Sequence, residues 1–206
     1  SFALLIILCS FYFIPGANAQ KSGVFYSVSG NGLKDTSYLF GTYHLIKSSW
    51  LDDKIKVQHA FKKSKGIVVE VVMDSSELAA ANAKGLLKGK QLKDLLSNEF
   101  SDSLDVELKK ILGVGIDQFN PVKPMTVMLA MSMVQLMKDN QELMQKYTGS
   151  ALDASFAEQA KIAGKAITPL ETINEQMDYL FNNLSDEKQA EYLKLFIRNV
   201  EEGRRL

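Results

Sequence analysis

Ser37-Tyr-Leu-Phe-Gly-Thr-Tyr-His44 is one of two stretches from which the fold of this chain can be predicted; the other is Gly66-Ile-Val-Val-Glu-Val-Val72. Both contain short apolar runs of the length that strands favour. Residues 51–65 between them are compatible with a helix. This order predicts a right-handed parallel crossover whose two strands end at the same edge of a sheet. His44 and Glu70 are therefore expected to meet at that edge.

A hairpin is expected before this unit, and a further helix and strand after it. Val24-Phe-Tyr-Ser-Val28 alternates in polarity and is followed by the turn cluster Ser29-Gly-Asn-Gly32. Later in the chain, residues 152–163 are compatible with a helix that Gly164 caps. The short run Ala166-Ile-Thr-Pro-Leu170 then predicts a strand. The strand pattern therefore occurs a third time.

The end of that strand carries a third polar residue, Glu171. Thr172-Ile-Asn-Glu175 follows with the spacing of a capping box and starts a helix that is predicted to run to about Asn183. A last helix is predicted from Ser185. It has Arg204-Arg205 in its final turn, where the helix macrodipole favours basic residues.

Residues 75–147 are predicted to be mostly helical and to cover one side of the sheet. The breaks between these helices fall at Gly85, at Gly89, at Gly113-Val-Gly115 and at Pro121 to Pro124. The predicted fold class is α/β, of the α+β kind. It consists of a small mixed β-sheet with a parallel β-α-β centre, an opening hairpin and a large helical insertion.

The composition is that of an ordinary globular domain. The chain has 206 residues, of which 46% are hydrophobic and 23% are charged, enough for one domain with a core. Lys and Arg number 24 and so do Asp and Glu, which gives a formal net charge of zero. Without an overall positive field, nucleic acid is not expected as a partner.

The first 19 residues have the pattern of a secretory signal peptide. An apolar run at residues 2–14 is followed by Pro15-Gly16 and the small-residue site Ala17-Asn18-Ala19, so cleavage is expected after Ala19. An uncleaved membrane anchor is the alternative. Removal of the signal also removes Cys9 and leaves no stable membrane span. We expect a periplasmic or secreted protein without disulfides.

Three polar residues at or just after predicted strands form the candidate site: His44, Glu70 and Glu171. Imidazole and carboxylates are ligands for zinc, manganese or iron, and one carboxylate can instead act as a general base. Gly41 is expected to let the backbone turn sharply so that His44 faces the sheet edge. In the alternative interpretation, His44 is a hydrogen-bonded loop residue, Glu70 pairs with a buried lysine or arginine, and Glu171 merely precedes a helix.

Three other features have simpler interpretations than ligand binding. His59 lies beside two lysines in a predicted helix and is expected to face solvent. The apolar run 124–137 predicts a buried core helix. A peptide-binding groove and Cu(I) capture are the alternatives, because the run is rich in methionine. Its methionines are Met125, Met128, Met131, Met133 and Met137. A local basic patch is interpreted as a solvated face and consists of Lys84, Lys88, Lys90 and Lys93.

Several common catalytic motifs are missing from the sequence. It contains no Gly-rich phosphate loop, no Gly-x-Ser-x-Gly elbow and no His-Glu-x-x-His pair. Functions that depend on a bound nucleotide or on a serine nucleophile therefore lose most of their support.

The two stretches quoted at the outset resemble the start of the TraB/GumN family, which is related to the Tiki proteins. That family is recognised by a Gly-x-x-His motif, here Gly41 to His44, and by a downstream strand glutamate, here Glu70. Later segments are similar to the family pattern as well: Pro121-Val-Lys-Pro124, Leu152-Asp153, Ala160-Lys-Ile-Ala-Gly-Lys165, Leu170-Glu-Thr172 and Glu175-Gln176. The resemblance covers most of the chain after the signal.

This resemblance implies a core shared with erythromycin-esterase-like (EreA), ChaN-like haem-binding and Tiki-like relatives. It also implies a metal-dependent peptidase or related hydrolase that acts on peptides or secreted proteins. His44 is then a metal ligand, Glu70 a ligand or the catalytic base, and Glu171 a ligand or a supporting residue. The implied metal is Mn, Zn, Fe or Co, which would lower the pKa of a bound water toward neutrality. The rival function is a non-catalytic protein that sequesters a peptide or haem-like ligand in the same cleft.

The sequence also departs from the family pattern. Relatives carry a second Gly-x-x-His on a later strand, with an Arg-Asn pair upstream, whereas this chain has no histidine after His59. Arg198-Asn199 has the same letters but lies inside a predicted charged helix, so the role is not transferred to it. The 206 residues are expected to be a fragment that lacks the C-terminal part of the domain.

Overall fold

The computed structural model of the protein describes residues 23–72 and 75–203, with the side chain of Ser75 left out. The predicted signal peptide, its cleavage point after Ala19 and the pair Arg204-Arg205 lie outside these residues. Within the described ranges, no helix combines the length and the apolar character that a membrane crossing requires. The chain divides into two compact units, one ending at Gly41 and the other beginning at Thr42.

The described part of the first unit, residues 23–41, is the predicted β-hairpin. Strand β1 (Phe25–Val28) pairs antiparallel with β2 (Ser37–Phe40), with Phe25 opposite Phe40. The turn after β1 contains three consecutive residues with positive φ: 92° at Gly30, 48° at Asn31 and 81° at Gly32. Glycine and asparagine adopt this left-handed conformation at the least steric cost. The hairpin and its turn cluster are therefore confirmed.

Gly41 does not make the sharp turn that is expected from the sequence. Its φ lies outside the left-handed region. Its N–H donates to the carbonyl oxygen of Val24 at 2.7 Å, which extends the hairpin by one more hydrogen bond. The backbone conformation of Gly41 is thus one that any residue can adopt.

The second unit contains a parallel sheet of two strands. Strand β3 (Gly66–Val69) pairs with β4 (Ala166–Pro169), and the register runs from Gly66 opposite Ala166 to Val69 opposite Pro169. The predicted crossover from residues 37–41 to residues 67–72 is wrong, because among the described residues β2 pairs only with β1 and β3 only with β4. Hairpin pairing closes a much shorter loop and costs less chain entropy. The α/β class is confirmed, with two small sheets in place of one mixed sheet.

Gly66 is the position where the parallel strands approach each other most closely. A Cβ atom added to Gly66 would lie 2.8 Å from the carbonyl oxygen of Ala166 and 3.1 Å from its Cβ. Both separations are shorter than ordinary van der Waals contacts. The pairing of β3 with β4 therefore depends on a glycine here.

Eight α-helices make up most of the described part of the second unit. They are α1 (Ile55–Lys63), α2 (Ser75–Ala83), α3 (Asn98–Leu112), α4 (Pro124–Asp139), α5 (Gln141–Lys146), α6 (Leu152–Ile162), α7 (Ile173–Asn182) and α8 (Asp186–Glu201). The described residues also form three short 3₁₀ helices: Ser48–Leu51 before α1, Leu92–Leu95 between α2 and α3, and Ile116–Phe119 between α3 and α4. The predicted breaks at Gly85, Gly89, Gly113 and Pro121 all fall between these helices.

Several helix boundaries predicted for the second unit also agree with the structure. Thr172 and Ser185 are the N-caps of α7 and α8, and their side-chain oxygens accept hydrogen bonds from the N–H groups of Glu175 and Lys188. Gly164 follows α6 with a φ of 64°. The N–H of Lys165 donates to the carbonyl of Ala160 at 2.9 Å, the bond expected of a glycine-terminated helix.

The main core lies among the helices rather than on the sheet. Helices α3, α4 and α8 pack together, and the buried cluster that they share with two of the 3₁₀ helices consists of Leu92, Leu104, Leu108, Ile116, Val127, Met131, Leu193, Phe196 and Ile197. Of the residues 75–147, α2 packs mainly on α7, and α4 mainly on α8. The prediction that this insertion covers the sheet is therefore wrong. Helix α6 is the helix that packs on both β3 and β4.

The parallel sheet is covered less than its apolar sequence suggests. Val68, in the middle of β3, is 65% exposed, and Leu170, just after β4, is 74% exposed. Parallel strands are usually buried on both faces, and the run 67–72 predicts such a strand. In this structure α6 covers one side, and the side that carries Val68 faces outward.

Gln189 joins three helix ends inside the helical core. Its side chain is fully buried. The amide nitrogen donates to the carbonyls of Phe181 and Leu184 at 2.8 and 2.9 Å, and the amide oxygen accepts from the N–H of Met125 at 3.3 Å. One glutamine thus satisfies backbone groups at the end of α7 and at the start of α4, which would otherwise be costly to bury.

The methionine-rich helix α4 is buried on one side only. Val127 and Met131 are fully buried, whereas Met133 and Met137 are 52% and 41% exposed. The predicted core helix is therefore correct for the inner face, and the outer face carries exposed thioethers.

Replacing Gly66 with alanine is expected to destabilise the second unit by about 1–3 kcal/mol, because the new methyl group overlaps the backbone of Ala166. The free energy of unfolding from urea titration measures this loss. Gly41→Ala is the matched control, since a Cβ there would meet Val24 only at 3.8 Å or more. Equal stability of the two variants would contradict the tight packing of β3 against β4.

Candidate functional site

Two backbone segments that run side by side bring His44 to the start of α6. Lys47 and Ala151 form an antiparallel bridge, and the N–H of Leu152 donates to the carbonyl of Ile46 at 3.0 Å. Leu152 is buried beneath this contact at 1% exposure. The arrangement fixes the loop that carries His44 against the first turn of α6, where Asp153 lies.

His44 and Asp153 form a short polar pair at this point. The Nδ1 atom of His44 lies 2.6 Å from Oδ2 of Asp153. The histidine side chain is 77% exposed and the aspartate side chain 34%. The second carboxylate oxygen of Asp153, Oδ1, is buried and has no hydrogen-bond partner among the described residues.

This contact determines which nitrogen of His44 is available. An ionised carboxylate only accepts hydrogen bonds, so Nδ1 carries the proton and donates it to Asp153. In the neutral ring the lone pair then belongs to Nε2. A carboxylate that holds a histidine in this way is the usual partner of a metal-binding imidazole.

The other two candidate residues lie together at the ends of β3 and β4. The parallel register continues past the strands, because the N–H of Leu170 donates to the carbonyl of Val69 at 2.9 Å and that of Glu171 to the carbonyl of Glu70 at 3.1 Å. Glu70 is exposed and Glu171 is half-buried. The backbone pairing therefore places the two glutamates side by side.

Gln176 links the two glutamate side chains. Its amide nitrogen donates to Oε1 of Glu70 and to Oε1 of Glu171, each at 3.0 Å. An amide has two N–H donors, and this one gives one to each carboxylate. The remaining carboxylate oxygens have acceptor capacity that Gln176 does not use.

No cation neutralises this pair within residues 23–72 and 75–203: neither Glu70 nor Glu171 forms a salt bridge there. The alternative in which Glu70 pairs with a buried lysine or arginine is therefore not what the described residues show. Two carboxylates that share one neutral donor repel each other and form a region of negative potential. Such a region favours a cation.

The capping box of α7 positions Gln176. The N–H and hydroxyl of Thr172 donate to the carboxylate of Glu175 at 2.8 and 2.9 Å, and the N–H of Glu175 donates back to the Thr172 oxygen at 3.1 Å. The backbone hydrogen bond from Thr172, followed by that from its hydroxyl, lowers the pKa of Glu175 below its ordinary value. Gln176 is the next residue, so the box fixes the turn from which its side chain reaches the glutamates.

The structure thus brings two of the three predicted residues together and gives the third a different partner. Glu70 and Glu171 share Gln176, and His44 is bonded to Asp153. Among the described residues, no three His, Cys, Asp or Glu side chains are grouped closely enough to hold a metal ion. One metal shared by His44, Glu70 and Glu171 stays a prediction.

Two residues that contact the predicted site residues were not predicted from the sequence: Asp153 and Gln176. Both lie in stretches that carry the family resemblance, Leu152-Asp153 and Glu175-Gln176. Asp153 also stands in the first turn of a predicted helix, and Gln176 follows a predicted capping box. These sequence patterns do not identify the side chain that each residue contacts, because His44 is 109 residues from Asp153 and Glu70 is 106 residues from Gln176.

The fold and the site together define an α/β protein with polar residues at the carboxyl ends of adjacent parallel strands, the usual position of a site in this class. The model of the TraB/PrgY/gumN family matches residues 24–206, and the chain belongs to that family. The resemblance drawn from the sequence is confirmed. Comparison with curated proteins gave no match, and neither did comparison with solved structures.

Replacing the N-cap Thr172 with alanine is expected to destabilise α7 by about 1 kcal/mol at neutral pH. The loss should shrink below pH 4.5, because a carboxyl group with a lowered pKa stabilises the fold above its ordinary pKa and ceases to do so as it is protonated. Urea unfolding at several pH values measures the difference. A loss that does not change with pH would contradict the role of Glu175 in the box.

Proposed function

We propose that this chain is an extracytoplasmic, metal-dependent hydrolase of the peptidase type that acts on peptides or secreted proteins. The observation that carries the proposal is the pair Glu70 and Glu171, which Gln176 holds side by side and which no cation of the described residues neutralises. The signal-like residues 1–19 support a location outside the cytoplasm. Family membership supports the hydrolase class over unrelated chemistry.

The donor chemistry of these residues fits a divalent metal. Glu70 and Glu171 offer carboxylate oxygens, and His44 offers Nε2, since Asp153 already holds its Nδ1. Asp153 also has a buried oxygen without a partner in the described part of the chain, as expected of an oxygen that accepts from a bound donor or a cation. Imidazole and carboxylates together suit Mn, Zn, Fe or Co. When bound, such a metal would lower the pKa of a water molecule that it coordinates.

The protein's own residues have distinct roles in this proposal. His44 and Glu171 are ligands, and Asp153 keeps the ring of His44 in one tautomer and one orientation. Glu70 is the more exposed of the two glutamates, so it is the residue that can reach substrate and accept a proton as a general base. Gln176 neutralises neither carboxylate but keeps both in place.

The binding of metal by the full-length protein tests the proposal first. We expect stoichiometric Mn, Zn, Fe or Co after reconstitution, measured by elemental analysis, and its loss in His44→Ala. His59→Ala is the matched control, because His59 is exposed on α1 and outside the site. Glu70→Gln is expected to abolish metal-dependent cleavage of a peptide library, because the amide cannot act as a base.

The same experiment distinguishes the rival function. Tight retention of a peptide or of haem without turnover, in a protein that takes up no metal, would favour a sequestering protein and defeat the hydrolase proposal. Copper uptake that is equal in the parent protein and in His44→Ala would instead indicate the exposed methionines of α4.

Removal of the negative charge of Asp153 is expected to weaken metal binding by about 10–100-fold, because the imidazole loses the partner that orients it. Asp153→Asn keeps the size of the side chain, and metal titration measures the dissociation constant. The exposed residue Asp102 supplies the control Asp102→Asn. An unchanged affinity in Asp153→Asn would show that the pair with His44 has no part in the site.

A further inference from the structure

A cavity that none of the candidate site residues lines is formed where the ends of several helices meet. Its volume is about 430 Å³, within the range of small-molecule sites. One wall is apolar and is formed by Ala80, Ala83 and Leu86. The other carries three ammonium groups, from Lys84, Lys88 and Lys123, with Asn182 and Asp186 beside them. We call this cavity the lysine pocket.

Two of the three lysines are fixed in position by helix α7. Lys84 donates to the carbonyl of Asn174 at 2.9 Å and to Oδ2 of Asp178 at 2.5 Å. Lys123 donates to the carbonyl of Phe181 at 2.9 Å and to Oδ1 of Asn182 at 2.7 Å. Their side chains are only 22% and 13% exposed. An ammonium group has three donors, so each of these lysines keeps one for a ligand.

The third lysine has no partner among the described residues. Lys88 is exposed and forms no hydrogen bond or ion pair with any described residue. It stands on the short segment between Gly85 and Gly89, and the φ of Gly89 is 71°. Its charge is therefore available at the mouth of the lysine pocket.

Among the described residues, the charges that line the lysine pocket and their ion-pair partners together leave a single positive excess. Lys84, Lys88, Lys123 and Asp186 line the pocket. Lys84 is paired with Asp178 outside the lining, and Asp186 lies 3.9 Å from Lys123 and is paired with Lys90, which also pairs with Glu187. This network therefore contains four ammonium groups and three carboxylates. This balance suits an anion that carries one charge rather than two.

We propose that the lysine pocket binds a carboxylate attached to a small aliphatic group. The carboxylate fits the single excess charge and the three lysine donors, and the aliphatic part fits the wall of Ala80, Ala83 and Leu86. A phosphate dianion is disfavoured, because the pocket lacks both the second excess charge and an arginine fork. The carboxylate can belong to a peptide C-terminus or to a free organic acid. The inference does not depend on the proposed metal site.

Titration of the full-length protein with small probes, followed by the amide NMR signals of Leu86, Lys88 and Gly89, tests the proposal. N-acetylleucine is expected to bind saturably, and N-acetylleucine amide at least about tenfold more weakly, because it lacks the charge. The acid 4-methylpentanoate has the same aliphatic group without the peptide bond. Equal binding of the two acids would assign the site to free organic acids, and preference for N-acetylleucine would assign it to peptide C-termini.

Variants of Lys88 distinguish ligand binding in the lysine pocket from nonspecific attraction to positive charge on the surface. Lys88→Gln removes the charge from an exposed side chain and is expected to weaken N-acetylleucine binding by about fivefold without affecting folding. Lys161→Ala is the control, since Lys161 is an exposed lysine of α6 outside the lysine pocket. The proposal would be overturned by equal affinity for acid and amide, by an unchanged Lys88→Gln, by tighter binding of inorganic phosphate, or by no saturable shifts up to about 10 mM ligand.

Discussion

The parallel pairing of β3 with β4 is the constraint on which the candidate site depends. Its register, Gly66 opposite Ala166 through Val69 opposite Pro169, continues for two more backbone hydrogen bonds and sets Glu70 beside Glu171. Gly66 permits the close approach. The Thr172 capping box then starts α7 directly after the second glutamate, so that Gln176 can reach both carboxylates. A shift of this register by one residue would separate the two acids.

The two polar pairs of the site are assembled by different means. His44 reaches Asp153 because a loop and the start of α6 run antiparallel over a buried leucine, Leu152. Glu70 reaches Glu171 because two strands pair in parallel. In both cases a backbone ladder does the positioning, and the side chains then meet over a short distance. In the pair Glu70 and Glu171 the side chains carry like charges, which cost stability unless a cation joins them.

Much of the local structure follows from the sequence. The hairpin turn at residues 29–32, the caps at Thr172 and Ser185, and the glycine after α6 are all specified by short-range chemistry, and the structure has each of them. Strand pairing could not be predicted in the same way. The runs at 37–41 and 67–72 have no feature that excludes pairing with each other, and the outcome depends on competition between a short hairpin loop and a long crossover. The exposure of Val68 could not be predicted from an apolar run either, because it depends on which helices pack over the strand.

Sequence alone is enough to predict the α/β class, the family and the candidate residues His44, Glu70 and Glu171, because each is encoded within a few neighbouring positions. Their hydrogen-bond partners are visible only in the folded chain. Asp153 is 109 residues from His44, and Gln176 is 106 residues from Glu70 although only five from Glu171. A hydrogen bond depends on distance and angle in space, and the chain fixes both only after its strands have paired and its helices have packed.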